Sequence, residues 1–209
     1  MILNPNKAMF SLKKPSYQEA EAFVLSQQNK SFTYPEVGET RLGPYAEHHP
    51  LFNRYRRVHR RFLMGEGIET YERLKRAFLD WQMFALGWVE LHRSNIPIEE
   101  KALVGIISQV MGVWSINVCR LIYTIDETTP LIRFGLGYGT LPGHAIRGEE
   151  RILIEFNPES GDVFYEIYSF SAESQLIARI TAFRLRSLQD RFARESSDRM
   201  HRFAQNLLR

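Results

Sequence analysis

Apolar residues recur along the chain with two different spacings, and the changes between them mark out its elements. Pro15 and Ser16 precede Glu19, a spacing that lets the Ser hydroxyl accept an N3 amide while the Glu reaches back to the cap; a short helix is predicted from Ser16 to about Gln28. The following SFTYPEVGET mixes β-branched and aromatic residues ahead of Gly38 and reads as a first strand or an extended lead-in. From Gly65 the spacing becomes helical, with Ile68, Leu74, Phe78, Trp81, Phe84 and Trp88 at intervals of an amphipathic helix, which predicts one or two helices. Beyond Pro97 come five strand-like runs: Ala102 to Met111, Val113 to Ile125, Leu131 to Thr140, Glu149 to Phe156 and Asp162 to Phe170. Turn signals at Gly112, Thr129-Pro130, Leu141-Pro142-Gly143-His144 and Asn157 to Gly161 separate them. Finally, Gln175 to Leu208 contains neither Gly nor Pro and carries apolar residues at loosely helical spacing. A terminal helix of about 30 residues would run roughly 45 Å.

Connections this short favour an antiparallel meander, because a parallel crossover needs about a dozen residues or more. Helices and strands segregate along the chain, which gives an α+β class. The arrangement that buries these elements well is a strongly curved antiparallel sheet wrapped around the long C-terminal helix, with the shorter helices that precede the sheet supporting one end. Residues 1–30 read as an N-terminal extension with a short helix and 31–209 as a single domain, with an inserted loop or helix over 48–64. A concave sheet and a helix leave space between them, and such space lined by apolar side chains is a ready ligand site.

Strand alternation assigns side chains to faces. In VWSINVCRLIYTI the face of Trp114, Ile116, Val118 and Ile122 also carries Arg120, and in EERILIEF the face of Ile152, Ile154 and Phe156 also carries Glu150. Both charges are expected on the apolar, concave side, where an arginine without a partner costs several kcal/mol. Two readings stay open: a structural Arg120–Glu150 ion pair, or a polar anchor inside a cavity. IRFGLGYGT places Phe134, Leu136, Tyr138 and Thr140 on one face and three glycines on the other, which permits a sharp bend or a close approach. Tyr138 then leans into the concavity and its hydroxyl needs a partner. GTLPGHAIRGEE brings His144 near Glu149 and Glu150, making Glu150, His144 and Tyr138 the candidates for acid and base chemistry. Cys119 reads as a buried, inert thiol.

Composition narrows the function classes. With 44% hydrophobic and 24% charged residues the chain has a globular rather than a disordered composition. A single cysteine and no Cys/His cluster at zinc-ligand spacing leave no disulfide scaffold and no metal site, and no cofactor motif is present. No window reaches about 18 uninterrupted apolar residues, so no transmembrane segment is expected, and the start lacks a signal-peptide core; a cytoplasmic protein is the expectation. The net charge of +3 is uneven, since RYRRVHRR (Arg54 to Arg61) and the C-terminal segment are strongly basic. That surface suits an acidic partner, or else pairs internally, as Arg186 with Asp190, Arg191 with Glu195 and Arg194 with Asp198 would. No nucleic-acid reader motif accompanies it.

PSYQEAEAFVLSQQNKSFTYPEVGET, RAFLDWQMFALGW, VCRLIYTIDE and above all FGLGYGTLPGHAIRGEERILIEF resemble the bacterial and plant family catalogued as domain of unknown function 1990, over residues 15 to about 192. That family is similar to the helix-grip superfamily typified by the birch pollen allergen, START lipid-transfer domains and polyketide cyclases, which implies the arrangement above. Two departures stand out: an acidic-poor insertion around His48 to Met64, and SFSAES at the end of the last strand. The resemblance transfers no catalytic residues.

The leading expectation is therefore a cytosolic protein that binds an apolar or amphipathic small molecule, with Trp114, Phe134, Tyr138, Ile152 and Phe156 as walls and Arg120 with Glu150 as anchors. The first alternative is an enzyme on the same cavity, a cyclase, hydrolase or isomerase using Glu150, His144 or Tyr138. The second is an interaction module using the basic surface, and a homodimer is compatible with any of these.

Overall fold

The computed structural model describes residues 9–44, 54–173 and 182–208. Helix α1 (Tyr17–Ser26) opens with the capping box that its sequence predicts: the Glu19 amide donates to Ser16 Oγ at 3.3 Å and the Ser16 amide donates to Glu19 Oε2 at 2.8 Å. SFTYPEVGET forms no strand; it runs through bends into a single 3₁₀ turn at Glu39–Leu42. The largest departure follows. Part of the segment read as an inserted loop or helix is an 11-residue strand, β2 (Arg56–Glu66), and the stretch 48–53 lies outside the described residues. Helix α2 (Ile68–Leu79) comes directly after it and buries Tyr71, Leu74, Ala77 and Phe78.

Strands β1 (Met9–Ser11), β3 (Val89–Leu91), β4 (Leu103–Val110), β5 (Val113–Glu127), β6 (Ile132–Thr140), β7 (Ile146–Phe156) and β8 (Asp162–Glu173) complete the sheet. Among the described residues it is an eight-stranded antiparallel sheet in the order β2-β8-β7-β6-β5-β4-β3, with β1 paired to β5 off that path. The five meander strands fall where the alternation places them. The sheet curls into a half-barrel, and α3 (Ala182–Ala204) lies across it. The fold is thus α+β, a curved antiparallel sheet with a C-terminal helix, as expected. The start expected at Gln175 lies outside the described residues.

Helices cover both faces of the curl. On the concave side α2 and α3 share one core with Cys119, Leu121, Leu136, Ile152, Ile154, Tyr165 and Ile167. Helix α3 approaches closely because its inner stripe is small, with Ala193, Ser196 and Ala204 around Met200, and Ser196 Oγ lies 2.7 Å from the Tyr165 hydroxyl. On the convex side α1 packs Ala20, Phe23 and Val24 against Ile107, Ile116 and Val118. Beyond α1 the convex face carries the aromatic and aliphatic patches of Tyr34, Tyr55 and Phe170 and of Tyr123, Ile125 and Leu153, beside a charged network: Glu155 takes Arg61 at 2.8 Å and Arg133 at 2.6 Å, and buried Glu166 pairs with Arg151 and, at 3.3 Å, with His59. Arg61 also stacks on Phe164 at 3.7 Å. On the concave side Arg56 and Arg60 reach Asp190 of α3 at 3.3 and 3.4 Å. The arginine run is therefore an alternating edge strand whose charges are met within the fold. Asp190 is held by β2, the expected Arg186 partner has a side chain outside those described, and the Arg191–Glu195 pair forms at 2.7 Å.

The glycines of β6 clear space for tyrosines on the convex face. A Cβ at Gly137 would run into the Tyr123 ring and one at Gly139 into the Tyr34 hydroxyl. Tyr123 cannot easily retreat, since its hydroxyl is 2.6 Å from Thr40 Oγ1. Gly137→Ala is therefore expected to destabilise the protein by about 1–3 kcal/mol through overpacking. Urea denaturation checks this; an unchanged midpoint would mean that the tyrosine layer yields.

Candidate functional site

Side-chain size varies along the concave face. Towards α2 it is filled by Phe134, Leu136, Ile152, Ile154 and Phe156, with Phe134 edge-on to Phe78 at 5.5 Å and Phe156 beside Tyr71. Towards the other end the inward positions are small or polar: Ser108 on β4, Ser115 and Asn117 on β5, Thr140 on β6, and Ser169 and Ser171 on β8. Leu188, Gln189 and Phe192 of α3, with Phe84 and Trp88, line the opposite side of that end. The outcome is a cleft of about 680 Å³. Its walls are largely apolar, and its volume suits a drug-sized molecule.

Two side chains at its floor carry chemistry. Tyr138 on β6 and Glu150 on β7 are register partners, and the tyrosine hydroxyl donates to the Glu150 carboxyl. Burial pushes the Glu150 carboxyl up to about 7, against the opposing pull of that hydrogen bond. Burial also raises Tyr138 well above its ordinary value. His144, in the turn before β7, also lines the cleft; its Nδ1 accepts the Ile146 amide at 3.1 Å, and burial lowers it to about 4, so the ring is neutral at physiological pH. A polar chain crosses the far wall: Asn117 Nδ2 donates to Ser115 Oγ at 3.2 Å, and the Ser115 and Ser108 hydroxyls lie 2.9 Å apart. On the helix side Gln189 Nε2 donates to Ser171 Oγ at 3.0 Å.

The structure brings together Tyr138, Glu150 and His144, and places the other expected residues elsewhere. Phe134, Ile152 and Phe156 face the concavity but fill the packed core next to the cleft. Trp114 and Arg120 lie on the opposite face, which corrects the inward assignment of their row: Trp114 packs with the α1 layer, and Arg120 donates to the Gln27, Gln28 and Lys30 carbonyls at 3.0, 2.7 and 2.9 Å. A guanidinium at the end of α1 satisfies carbonyls that lack helical partners and complements the helix dipole. The Arg120–Glu150 pair therefore does not form, because the sheet lies between the two. Glu149 is also turned away from Glu150. Its carboxylate accepts from Tyr34 Oη at 2.9 Å, from the Gly38 and Thr40 amides at 2.7 and 2.9 Å, and from the Thr40 hydroxyl, clamping the 34–40 loop to the convex face. Cys119 is buried, and burial raises its thiol far out of the reactive range.

Reasoning from sequence missed Asn117, Ser108, Phe84, Trp88 and Phe192 as cleft residues. The available signal was the row of Ser115, Asn117 and Cys119, whose modest size marks the side facing a void. Among the described residues no group of three or more His, Cys, Asp or Glu is placed to hold a metal, and no helix is long and apolar enough to cross a membrane.

Residues 33–199 match the family described as Domain of unknown function (DUF1990). A UPF0548 protein of Dictyostelium discoideum is 30% identical over 203 residues, covering 92% of this chain and 94% of the relative. UPF0548 proteins of Deinococcus radiodurans and Arabidopsis thaliana are 32% identical (89% and 94% covered) and 33% identical (67% and 69% covered).

The raised carboxyl sets a pH dependence with a definite sign. Between the ordinary carboxyl value of 4.5 and about 7 the folded protein holds a proton on Glu150 that the unfolded chain has released, so the site's contribution to stability falls as pH rises through that window. Burial raises Glu149 too, with the same sign, while the lowered His144 acts oppositely below its unfolded value of 6.5. Denaturation of wild type and Glu150→Gln from pH 5 to 8 isolates the site: wild type should lose stability relative to the variant as pH rises, levelling off above about 7. A flat difference would contradict the assignment.

Proposed function

This chain belongs to the DUF1990 family, and we propose that it binds an apolar or amphipathic small molecule in the cleft between the concave sheet and α3. The observation that carries this reading is the cleft itself: a core otherwise packed with large aromatics gives way to serines, threonine and asparagine around about 680 Å³ of space. A void of that size forfeits packing contacts and costs stability. A ligand restores those contacts, its body against Phe84, Trp88, Ile106 and Phe192 and its polar end at Glu150, Tyr138 and Asn117. A second reading, proton-transfer catalysis on the bound molecule, is favoured by one feature, the Glu150 carboxyl raised to about 7 beside Tyr138.

Native mass spectrometry of gently purified protein, beside its denatured mass, should detect a stoichiometric small molecule. A carrier leaves the structure of that molecule unchanged on incubation, as read by chromatography and fragmentation of the released ligand, whereas an enzyme converts it and Glu150→Gln halts the conversion. Independently, the neutral dye Nile red should bind saturably at one site, and Ile106→Trp, which fills the cleft, should weaken it by about tenfold or more. Equal binding by a folded Ile106→Trp would overturn the cleft as the site.

A further inference from the structure

The electrostatics of the cleft name a ligand class, an inference that rests on the binding reading above. Among the described residues that line it, none is Lys or Arg. Arg120, the cation expected there, caps α1 on the other face, and Arg56, which reaches Gln189 at the rim, is paired with Asp190. Glu149 sends its carboxylate to the convex side. Among the described residues, Glu150 therefore faces the space with neutral neighbours: Tyr138 from β6, Cys119 from β5 and Tyr165 from β8 all hold their protons because burial raises them, and His144 in the adjoining turn is uncharged. The same cleft is lined by the rings of Phe84, Phe192 and Tyr138 and by Trp88, whose ring already carries the Arg191 guanidinium at 4.4 Å. Ring faces attract cations, and a carboxylate in an apolar site needs a counter-ion. An anionic head group would meet a like charge with no cation to offset its lost hydration.

We propose that the cleft selects a cationic amphiphile, a protonated amine on an apolar body, with Glu150 as its counter-ion. An empty cleft leaves this carboxyl about half ionised near neutrality, so amine affinity should rise from pH 6 to 8 as the carboxylate forms while the amine stays charged.

Decylamine, decanol and decanoate share one apolar body and differ only at the head. Titration calorimetry below their micelle-forming concentrations should rank the amine about tenfold or more above the alcohol at pH 8, with the carboxylate weakest. The amine's advantage should shrink at pH 6 and vanish in Glu150→Gln. The ranking and its pH dependence are read on the wild type, so they stand even where the variant misfolds. Decanol or decanoate binding as tightly as decylamine would overturn the cation assignment and leave the cleft as a binding site. Failure of all three to bind would overturn both.

Discussion

Both faces of strand β5 are buried, and the placement of the polar groups around the cleft follows from that constraint. Helix α1 takes the side carrying Trp114, Ile116, Val118 and Arg120, and the concave core takes the side carrying Cys119 and Leu121. With two apolar layers to satisfy, the strand cannot send its polar residues to water. Arg120 ends against the terminal carbonyls of α1, where the sequence of the helix itself supplies the acceptors. Ser115 and Asn117 turn towards the space under α3, where their short side chains bond to one another rather than to solvent.

The same two-sided burial leaves Glu150 without a counter-ion among the described residues. On a sheet open to water on one face, a carboxyl could turn outward or find a nearby arginine. Here Arg61 of β2, Arg133 of β6 and Arg151 of β7 are engaged by Glu155 and Glu166 on the convex face, behind the sheet, and on the concave side Arg56 and Arg60 of β2 are held by Asp190. What remains for Glu150 is one hydroxyl, from Tyr138. Desolvation not offset by partners raises a carboxyl and costs folding free energy. The neighbouring Glu149 shows the contrast: equally buried in sequence terms, it is given two backbone amides and two hydroxyls and serves to hold a loop.

The meander was legible because period-two alternation and Gly/Pro turn signals act locally, and so was the start of α1, whose capping box is closed by residues three apart. Strand β2 was not. Its arginine-rich run looks like a solvated segment when taken alone, and only pairing with β8 reveals that one row faces Asp190 and the other Glu155 and Glu166. Of the residues that line the cleft, alternation and turn position singled out Tyr138, Glu150 and His144. Trp114 and Arg120 were assigned to the wrong side because alternation separates two faces without saying which one is concave.

The chain by itself determined its α+β order, its antiparallel strands, the caps and turns that bound them, and the sharing of one face by Tyr138 and Glu150, since each depends on neighbours within a few residues or on strict alternation. Tertiary structure alone decided which face each helix covers, where the small side chains accumulate into a cleft, and which carboxyl is left without a cation. Those outcomes depend on pairing between residues far apart in the chain, such as Arg61 with Glu155 and Tyr34 with Glu149, and on competition among layers for the same apolar surface.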